Sequence, residues 1–225
     1  MSNSYALLMT VKNAEKYLAE TLDSVFAQTL LPQEIRIVDD NSTDSTLEII
    51  ESYGPRIVVT KNANAGMAET YNLAIPLVKT EFIAFLDGDD LWLPDKAKRQ
   101  IDFLVENPQY DVVCSSVLNF RKLNEKDIAY EASREFGPSR LFTASTFRKE
   151  SFDKFGLLDT SVGHFGWLYE WWSRANEQGI KCGEIEEVLF HRRIHDSNSW
   201  VRDRELGNKT IIEIARRNIE RRKNG

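Results

Sequence analysis

The chain has 225 residues, of which 42% are hydrophobic and 28% charged, as is usual for a soluble globular protein with a sizeable core. Its 35 acidic residues outnumber 29 basic ones and give a net charge of -6, which argues against a nucleic-acid-binding domain. Two cysteines, Cys114 and Cys182, provide neither a disulfide framework nor metal-ligand spacing, and they suggest a reducing compartment. The apolar run Tyr5–Val11 is too short to span a bilayer and lacks the charged start of a signal peptide. We therefore predict a cytoplasmic protein with at most peripheral membrane association.

Strand and helix patterns alternate along the first half of the chain. Short apolar runs predict strands at Tyr5–Val11, Glu34–Asp40, Arg56–Asn62, Glu81–Asp90 and Tyr110–Phe120. Apolar residues at helical spacing predict helices within Ala14–Thr29, Ser42–Gly54, Asn64–Val78 and Pro94–Pro108. Because strands separated by helices cannot form tight hairpins, this order predicts a parallel sheet with helices packed on it.

The pattern changes after residue 118. The polar stretch 121–140 predicts a loop or a short antiparallel excursion. Later segments predict helices at Ser145–Gly156 and Gly166–Gly179, an edge strand at Cys182–Phe190 and a terminal helix at Asp203–Arg222. Because there is no flexible linker and no internal repeat, we predict a single domain with two unlike halves.

Acidic residues cluster where two predicted strands end. Asp39 and Asp40 close the second strand, and Asp87, Asp89 and Asp90 close the fourth. Ligands of parallel sheets bind outside the carboxyl ends of the strands, so both clusters should line one crevice. Carboxylate oxygens suit Mg²⁺ or Mn²⁺, and substrate phosphates commonly complete such a site. A polar turn after a strand is the alternative explanation of an isolated Asp-Gly-Asp.

The first acidic cluster has a weaker claim to a metal ion. An acid at the end of an early strand in a nucleotide-binding α/β fold often accepts hydrogen bonds from the base or ribose, which favours that role for Asp40. The neighbouring Asn41, Ser42 and Asp44 are explained by capping of the following helix.

Three segments in this order resemble a family-2 glycosyltransferase of the GT-A fold. They are "LLMTVKNAEKYLAETLDSVFAQTLLPQEIRIVDDNSTDST", "NAGMAETYNLAI" and "EFIAFLDGDDLWLPDK", and they span roughly the first 100 residues. The resemblance implies an α/β fold with a Rossmann-like, mostly parallel sheet, flanking helices and a smaller acceptor-binding half. It divides the domain 1–225 into a nucleotide-sugar-binding half (1–117), an acceptor and catalytic half (118–200) and a C-terminal helix (201–225).

The resemblance also assigns residues of the donor site. It implies nucleotide contacts at Thr10, Val11, Asp40, Gly66 and Asp87, with Asp40 on the base and Asp87 near the ribose. Gly66 ends the loop that begins at Asn64. The resemblance further implies that Asp89 binds the divalent cation.

The stretch "FHRRIHDSNSW" resembles a family loop that ends in Arg-x-His followed by Ser and Asn. By this resemblance His195 reaches the metal or the diphosphate, and Arg193 neutralises phosphate. Neutral imidazole is a competent ligand for Mn²⁺ and less natural for Mg²⁺. A polar surface loop is the alternative.

The expected general base is missing from its usual place. The family carries an acidic pair on a helix of the second half, and alignment of "GWLYEWWSRANEQG" puts Trp167 and Leu168 at that pair. The nearest acid is Glu170, although a helical offset of two residues turns a side chain by about 200°. Glu170 is therefore the candidate base, with a solvated or ion-paired helix residue as the alternative. His164 and Asp159 are weaker candidates.

The predicted function is metal-dependent transfer of a sugar from a nucleotide-diphosphate sugar, with inversion implied by the resemblance. A UDP-sugar ranks first among donors, Mn²⁺ or Mg²⁺ is the expected cofactor, and the acceptor is a glycan, a lipid-linked sugar or a peptide. No nucleic-acid partner is expected. One alternative is a non-catalytic nucleotide-sugar-binding module, which the missing acidic pair favours. The other is a sugar nucleotidyltransferase, but "TVKNAEKY" lacks the glycine-rich loop of such enzymes.

Overall fold

The computed structural model of the chain describes residues 3–62, 66–122, 128–132, 139–163, 166–196, 198, 209–210, 212–214 and 216–217. The first half contains strands β1 (Tyr5–Val11), β2 (Glu34–Asp39), β3 (Ile57–Lys61), β4 (Phe82–Asp87) and β5 (Leu91–Trp92). Its helices are α1 (Leu18–Phe26), α2 (Thr46–Ser52), α3 (Met67–Ala74) and α4 (Lys96–Glu106). The second half contains β6 (Val112–Lys122), β7 (Ile128–Ala132), β8 (Ser145–Arg148), α5 (Glu150–Phe155), α6 (Trp167–Glu177) and β9 (Cys182–Arg193).

The described strands form one mixed sheet in the order β3-β2-β1-β4-β8-β6-β9-β5, with β7 paired to β6. The first four strands of this order are parallel, and β6 is parallel to β9. The prediction of a mostly parallel sheet with flanking helices is confirmed. Apolar clusters cover both faces: one around α1 and α4, the other around α3, α5 and α6.

Strand β8 lies between the two parallel groups, which the sequence did not predict. It pairs antiparallel with β4 and with β6, so β6 runs in the same direction as β4 although these two strands are not paired with each other. The helix predicted at Ser145–Gly156 was therefore wrong in its first residues, because pairing with two neighbouring strands overrides the local pattern. The helix begins only at Glu150.

Two other predictions for the second half concern the strands after residue 120 and at Cys182. The antiparallel excursion after residue 120 is confirmed by β7, which pairs with β6 through Phe120 and Tyr130. The strand predicted at Cys182 lies at an edge of the described sheet over most of its length, since the two-residue strand β5 pairs with β9 only at Phe190 and His191. The predicted helix at Asp203–Arg222 lies largely outside the described residues. Within the described part of the chain, every helix is too short or too polar to cross a bilayer.

Lys96 is buried at the start of α4. Its ammonium group lies 4.1 Å from the centre of the Trp92 ring and 3.5 Å from the Ser145 carbonyl oxygen, and the residue has no exposed surface. Burial lowers the pKa of Lys96 to about 7, with Cys114 acting weakly in the opposite direction. At neutral pH Lys96 is therefore only partly protonated, and the burial of its charged form lowers the stability of the folded protein.

We predict that Lys96→Met stabilises the protein most at low pH. The folded-state pKa is lowered, so the unfolded chain binds the extra proton between about pH 7 and pH 10, and wild-type stability rises with pH across this window. The variant should be more stable by about 1–4 kcal/mol at pH 7, and the difference should shrink toward pH 10. Urea unfolding of both proteins at several pH values measures this. A difference that stays constant with pH would contradict the prediction.

Candidate functional site

The carboxyl ends of β1, β2 and β4 form one edge of the sheet. Strand β1 lies in the middle, with Thr10 paired to Asp87 of β4 and Val11 paired to Asp39 of β2. Parallel pairing therefore brings the two acidic clusters to either side of Thr10 and Val11, as the sequence predicts.

The two acids that end β2 lie in different environments. Asp39 is buried, and both of its carboxylate oxygens accept from the Ser42 backbone N–H at 3.2 Å, so it stabilises the turn. Asp40 donates its backbone N–H to Val11 at 2.8 Å, and its carboxylate lies 3.4 Å from the Lys12 ammonium group. Its side chain keeps 16% of its surface exposed. Of the two, Asp40 can meet a ligand.

The residues after Asp40 connect two loops, and Asp44 also caps the following helix as predicted. Ser42 accepts from the Asn13 backbone N–H, and Asp44 accepts from the Glu15 backbone N–H. Helix α2 begins after Ser45, and its first backbone N–H, that of Thr46, donates to the Asp44 side chain at 3.0 Å. The polar stretch thus holds the loop after β1 beside Asp40, which is the residue predicted to contact the nucleobase.

The second cluster brings three carboxylates together. Ligand oxygens of Asp87, Asp89 and Asp90 all lie within 4.8 Å of one another. Burial, followed by the Asp89 charge, raises the pKa of Asp87 to about 7, and Arg192 acts in the opposite direction. The pKa of Asp90 is raised well above its ordinary value, mainly by burial and then by Asp89 and Asp87. A hard divalent cation fits this oxygen-rich cluster, because it would offset the repulsion among the three acids.

Asp89 also contacts the loop after β9. Its Oδ2 atom lies 2.9 Å from His195 Nε2 and accepts from Asn198 Nδ2 at 3.1 Å. The His195 backbone N–H donates to the Asn198 side-chain oxygen at 2.7 Å, which closes the loop on itself. The fold therefore brings together the two residues that the sequence proposed as metal ligands, 106 residues apart.

Arg193 is buried beneath this cluster, with 2% of its side chain exposed. Its Nε donates to the Asp89 carbonyl oxygen at 2.7 Å, and a terminal nitrogen donates to Glu20 at 2.8 Å. The guanidinium group lies 4.6 Å from the centres of the Tyr17 and Phe120 rings. These contacts indicate that Arg193 holds the acidic loop in place, and they leave its guanidinium group poorly placed to bind a phosphate.

Gly66 has a φ of 86° and precedes α3. This left-handed conformation favours glycine, and the Gly66 carbonyl oxygen accepts from the Thr70 hydroxyl at 2.6 Å. Asn64, with which the predicted nucleotide loop begins, lies outside the described residues. The structure therefore places the base of that loop at the start of α3.

The helix predicted to carry the general base buries its aromatic residues. Trp167, Trp171 and Trp172 are all at most 7% exposed and pack around Phe142. Trp167 also contacts Tyr71, whose pKa is raised well above its ordinary value by burial and then by the Asp87 charge. The first residue of α6 thus packs into the core, close to the site.

Glu170 forms an ion pair within α6. Arg174 Nε lies 3.0 Å and 3.3 Å from its two carboxylate oxygens, and the Glu170 side chain is 8% exposed. Arg174 also donates to the carbonyl oxygens of Phe155 and Leu157. The geometry favours the ion-paired alternative over a general base, because Arg174 occupies both carboxylate oxygens of Glu170.

Of the two weaker candidates for the general base, Asp159 lies within the described residues and His164 does not. Asp159 accepts from the Ser161 backbone N–H at 2.8 Å, and hydrogen bonds from Ser161 lower its pKa. A lowered pKa makes a carboxylate a weaker base.

Sequence reasoning missed four residues that shape the site: Tyr17, Glu20, Tyr71 and Asn198. Tyr17 contacts both Arg193 and His195, with its ring centre 4.7 Å from that of the imidazole. Glu20 looks like an ordinary exposed residue of an amphipathic helix, and only the fold shows that it pairs with Arg193. Asn198 lies in a polar stretch that the sequence did single out, although its contact with Asp89 was not predicted.

Comparisons with known proteins agree with this arrangement. The sequence model of a family described as "Glycosyl transferase family 2" matches residues 6–169. The chain is 29% identical to an uncharacterized glycosyltransferase of Rickettsia typhi over 208 residues, covering 86% of this chain and 65% of the relative. It is 35% identical to the UDP-Glc:alpha-D-GlcNAc-diphosphoundecaprenol beta-1,3-glucosyltransferase of Escherichia coli over 104 residues, 45% of this chain and 41% of the relative. The chain thus spans less than two thirds of the length of these curated relatives.

The fold is similar to that of S. aureus TarS, residues 1–349, solved in complex with UDP-GlcNAc. The TM-score is 0.69 at 20% sequence identity, over 87% of this chain and 60% of TarS 1–349. At this identity the likeness supports the fold, which agrees with the GT-A arrangement expected from the sequence.

Proposed function

Because the chain belongs to glycosyl transferase family 2, we propose that it transfers a sugar from a nucleotide-diphosphate sugar to an acceptor, with a divalent cation bound at Asp89. The observation that carries this proposal is the group of three carboxylates within 4.8 Å at the sheet edge where ligands of such folds bind. The reaction is a displacement at the anomeric carbon of the donor sugar, with inversion of configuration.

The proposed cation site consists of Asp89 and His195, with Asp87 and Asp90 close by. Carboxylate and imidazole together suit Mn²⁺, and carboxylates with water suit Mg²⁺. When bound there, the cation would offset the charge of the leaving diphosphate. The contact of Asn198 with Asp89 supports the site, because it orients the carboxylate that would bind the metal.

The proposed donor is a UDP-sugar. A relative is named for the use of UDP-Glc, and TarS was solved with UDP-GlcNAc. In this proposal Thr10 and Val11 flank the base, Asp40 accepts hydrogen bonds from it, and Asp87 lies toward the ribose. Gly66 lies at the side of the same crevice. The acceptor is a hydroxyl-bearing glycan, lipid-linked sugar or peptide.

Arg193 has a positioning role in this proposal. Its guanidinium group is occupied by Glu20 and the Asp89 backbone and lies between two rings. It therefore acts on phosphate only through the loop of Asp89 that it holds. Arg192, whose charge acts on Asp87 and Asp90, is the neighbouring cation that faces the acidic cluster.

We predict that Asp40→Ala weakens nucleoside recognition without affecting the cation. Loss of a hydrogen bond to a charged acceptor should reduce affinity roughly tenfold or more. The reduction should be similar for uridine and for UDP with Mn²⁺, because the base contact is common to both. Calorimetric titration with each ligand measures this, and a loss confined to UDP with Mn²⁺ would instead make Asp40 part of the metal site.

A non-catalytic nucleotide-sugar-binding module is the second candidate function. Two observations favour it: Trp167 is packed in the core where the family's acidic pair is expected, and Glu170 is held by Arg174. Both candidates predict donor binding, so the two differ only in turnover.

One experiment separates the two candidates. Thermal stabilisation is screened across UDP-, GDP- and dTDP-sugars with and without Mn²⁺, and each stabilising donor is then tested for hydrolysis and for transfer. Metal-dependent stabilisation with release of nucleoside diphosphate supports the transferase. Stabilisation without any release over long incubation supports the binding module, and no stabilisation by any donor would overturn both.

A further inference from the structure

The two cysteines lie side by side in the fold. Cys114 is on β6 and Cys182 begins the neighbouring strand β9, and their sulfur atoms are 3.2 Å apart. Both are free thiols, Cys114 fully buried and Cys182 partly exposed. A pair that is 68 residues apart in sequence is thus one dithiol in space.

The surroundings of Cys114 favour its thiolate. The contact with Cys182 is the largest influence that lowers the pKa of Cys114, the Ser145 hydroxyl and Arg140 act in the same direction, and burial opposes them. The Ser145 hydroxyl donates to the Cys114 sulfur at 3.3 Å. The charge of Cys114 in turn acts to raise the pKa of the buried Lys96, against the effect of burial. A partly exposed thiol that a small disulfide can reach, with a second thiol in contact behind it, is the arrangement found in redox-active cysteine pairs.

We propose that Cys114 and Cys182 are a site of thiol–disulfide exchange, which reacts with a small disulfide such as glutathione disulfide and closes to a reversible bond between β6 and β9. The proposal rests on the position of the two side chains and is independent of the proposed sugar transfer.

The exchange takes place in two steps. The Cys114 sulfur accepts the proton of the partly exposed Cys182 across the 3.2 Å contact, and Cys182 then attacks as a thiolate, although the contact with Cys114 and burial raise the pKa of Cys182. It bonds to one sulfur of glutathione disulfide and releases the other half as a glutathione thiolate. The Cys114 thiolate then attacks the Cys182 sulfur, breaks its bond to glutathione and releases a second thiolate. The two protein protons pass to the two glutathione molecules, and two electrons pass from the protein to the disulfide.

The geometry requires only a small movement. Cys182 pairs with Val112, and Cys114 pairs with Glu184, so the cysteines are diagonal neighbours on adjacent strands. The sulfurs must approach by about 1 Å to reach a disulfide bond length of about 2.04 Å. Cys182 is the first residue of its strand, where the ladder begins and such a shift disturbs the fewest pairs.

The test equilibrates the folded chain in buffers of defined reduced and oxidised glutathione, followed by acid quenching, alkylation and intact-mass measurement. Wild-type protein should lose both alkylation sites together and become lighter by the mass of two hydrogen atoms. The oxidised form should also unfold at a higher temperature, and a reductant should reverse this, because the bond closes a long loop in the unfolded chain.

Two variants make the result specific. Cys114→Ser should accumulate a stable glutathione adduct on Cys182, since it lacks the second thiol. Ser145→Ala, which keeps both cysteines, should prolong the lifetime of this adduct relative to wild type. The proposal is overturned if wild type keeps the adduct as long as Cys114→Ser does, or if both wild-type cysteines remain alkylated at every glutathione ratio.

Discussion

Asp89→Asn should lower the Mn²⁺-dependent affinity for UDP by at least about 100-fold and leave the fold intact. Loss of residues that merely orient a metal ligand typically costs 10–100-fold in metal affinity, and Asp89 is the proposed ligand itself. Its carboxylate already contacts His195 and Asn198, so the amide removes the charge and keeps the shape. Calorimetric titration of UDP with and without Mn²⁺ measures the effect.

Asp102→Asn is the matched control for this experiment. Asp102 is an acid on α4 that forms an exposed ion pair with Lys98, so the substitution removes the same charge away from the crevice. It should change neither affinity nor stability appreciably. If Asp89→Asn binds UDP with unchanged dependence on Mn²⁺, the proposed cation site is wrong.

Glu170→Gln should destabilise the fold by about 3 kcal/mol, because it leaves the Arg174 guanidinium without its buried partner. Arg174 also connects α6 to the chain after α5 through the carbonyl oxygens of Phe155 and Leu157. Urea unfolding measures the loss. A general base would behave differently, because its removal typically costs about 10²–10⁴-fold in turnover with little change in stability.

The exposed Glu106, which ends α4, provides the control. Glu106→Gln should leave the free energy of unfolding within about 0.5 kcal/mol of wild type. A Glu170→Gln variant that matches wild type in stability but loses turnover would contradict the ion-pair role and restore Glu170 as the candidate base.

The position of the proposed donor site could be predicted because it depends on strand order. Alternating strands and helices lead to a parallel sheet, and such a sheet brings strand ends to one edge. Asp40 and Asp87 therefore lie on either side of β1, at the same edge of the sheet, as expected. Trp167 and Trp171, four residues apart, share one face of α6, and both are buried in the structure.

The remainder depends on contacts between distant segments, which local patterns do not encode. Ser145–Arg148 looks helical by itself and becomes a strand because β4 and β6 both offer partners. Arg193 resembles a phosphate-binding residue in sequence, yet Glu20, 173 residues away, occupies its guanidinium group. The proximity of Cys114 and Cys182 follows from the register of β6 and β9, which no spacing of the two residues indicates.

The position of β8 constrains the order in which the chain can assemble. Strand β4 is almost fully buried, and its second edge is covered only by residues that come about 60 positions later. During synthesis the first half therefore presents an apolar, unpaired strand until Ser145–Arg148 has emerged, and such edges are templates for aggregation. Pairing of distant segments also slows folding. We therefore expect that the first 117 residues, although they hold most of the proposed donor site, do not fold stably until Ser145–Arg148 has covered the free edge of β4.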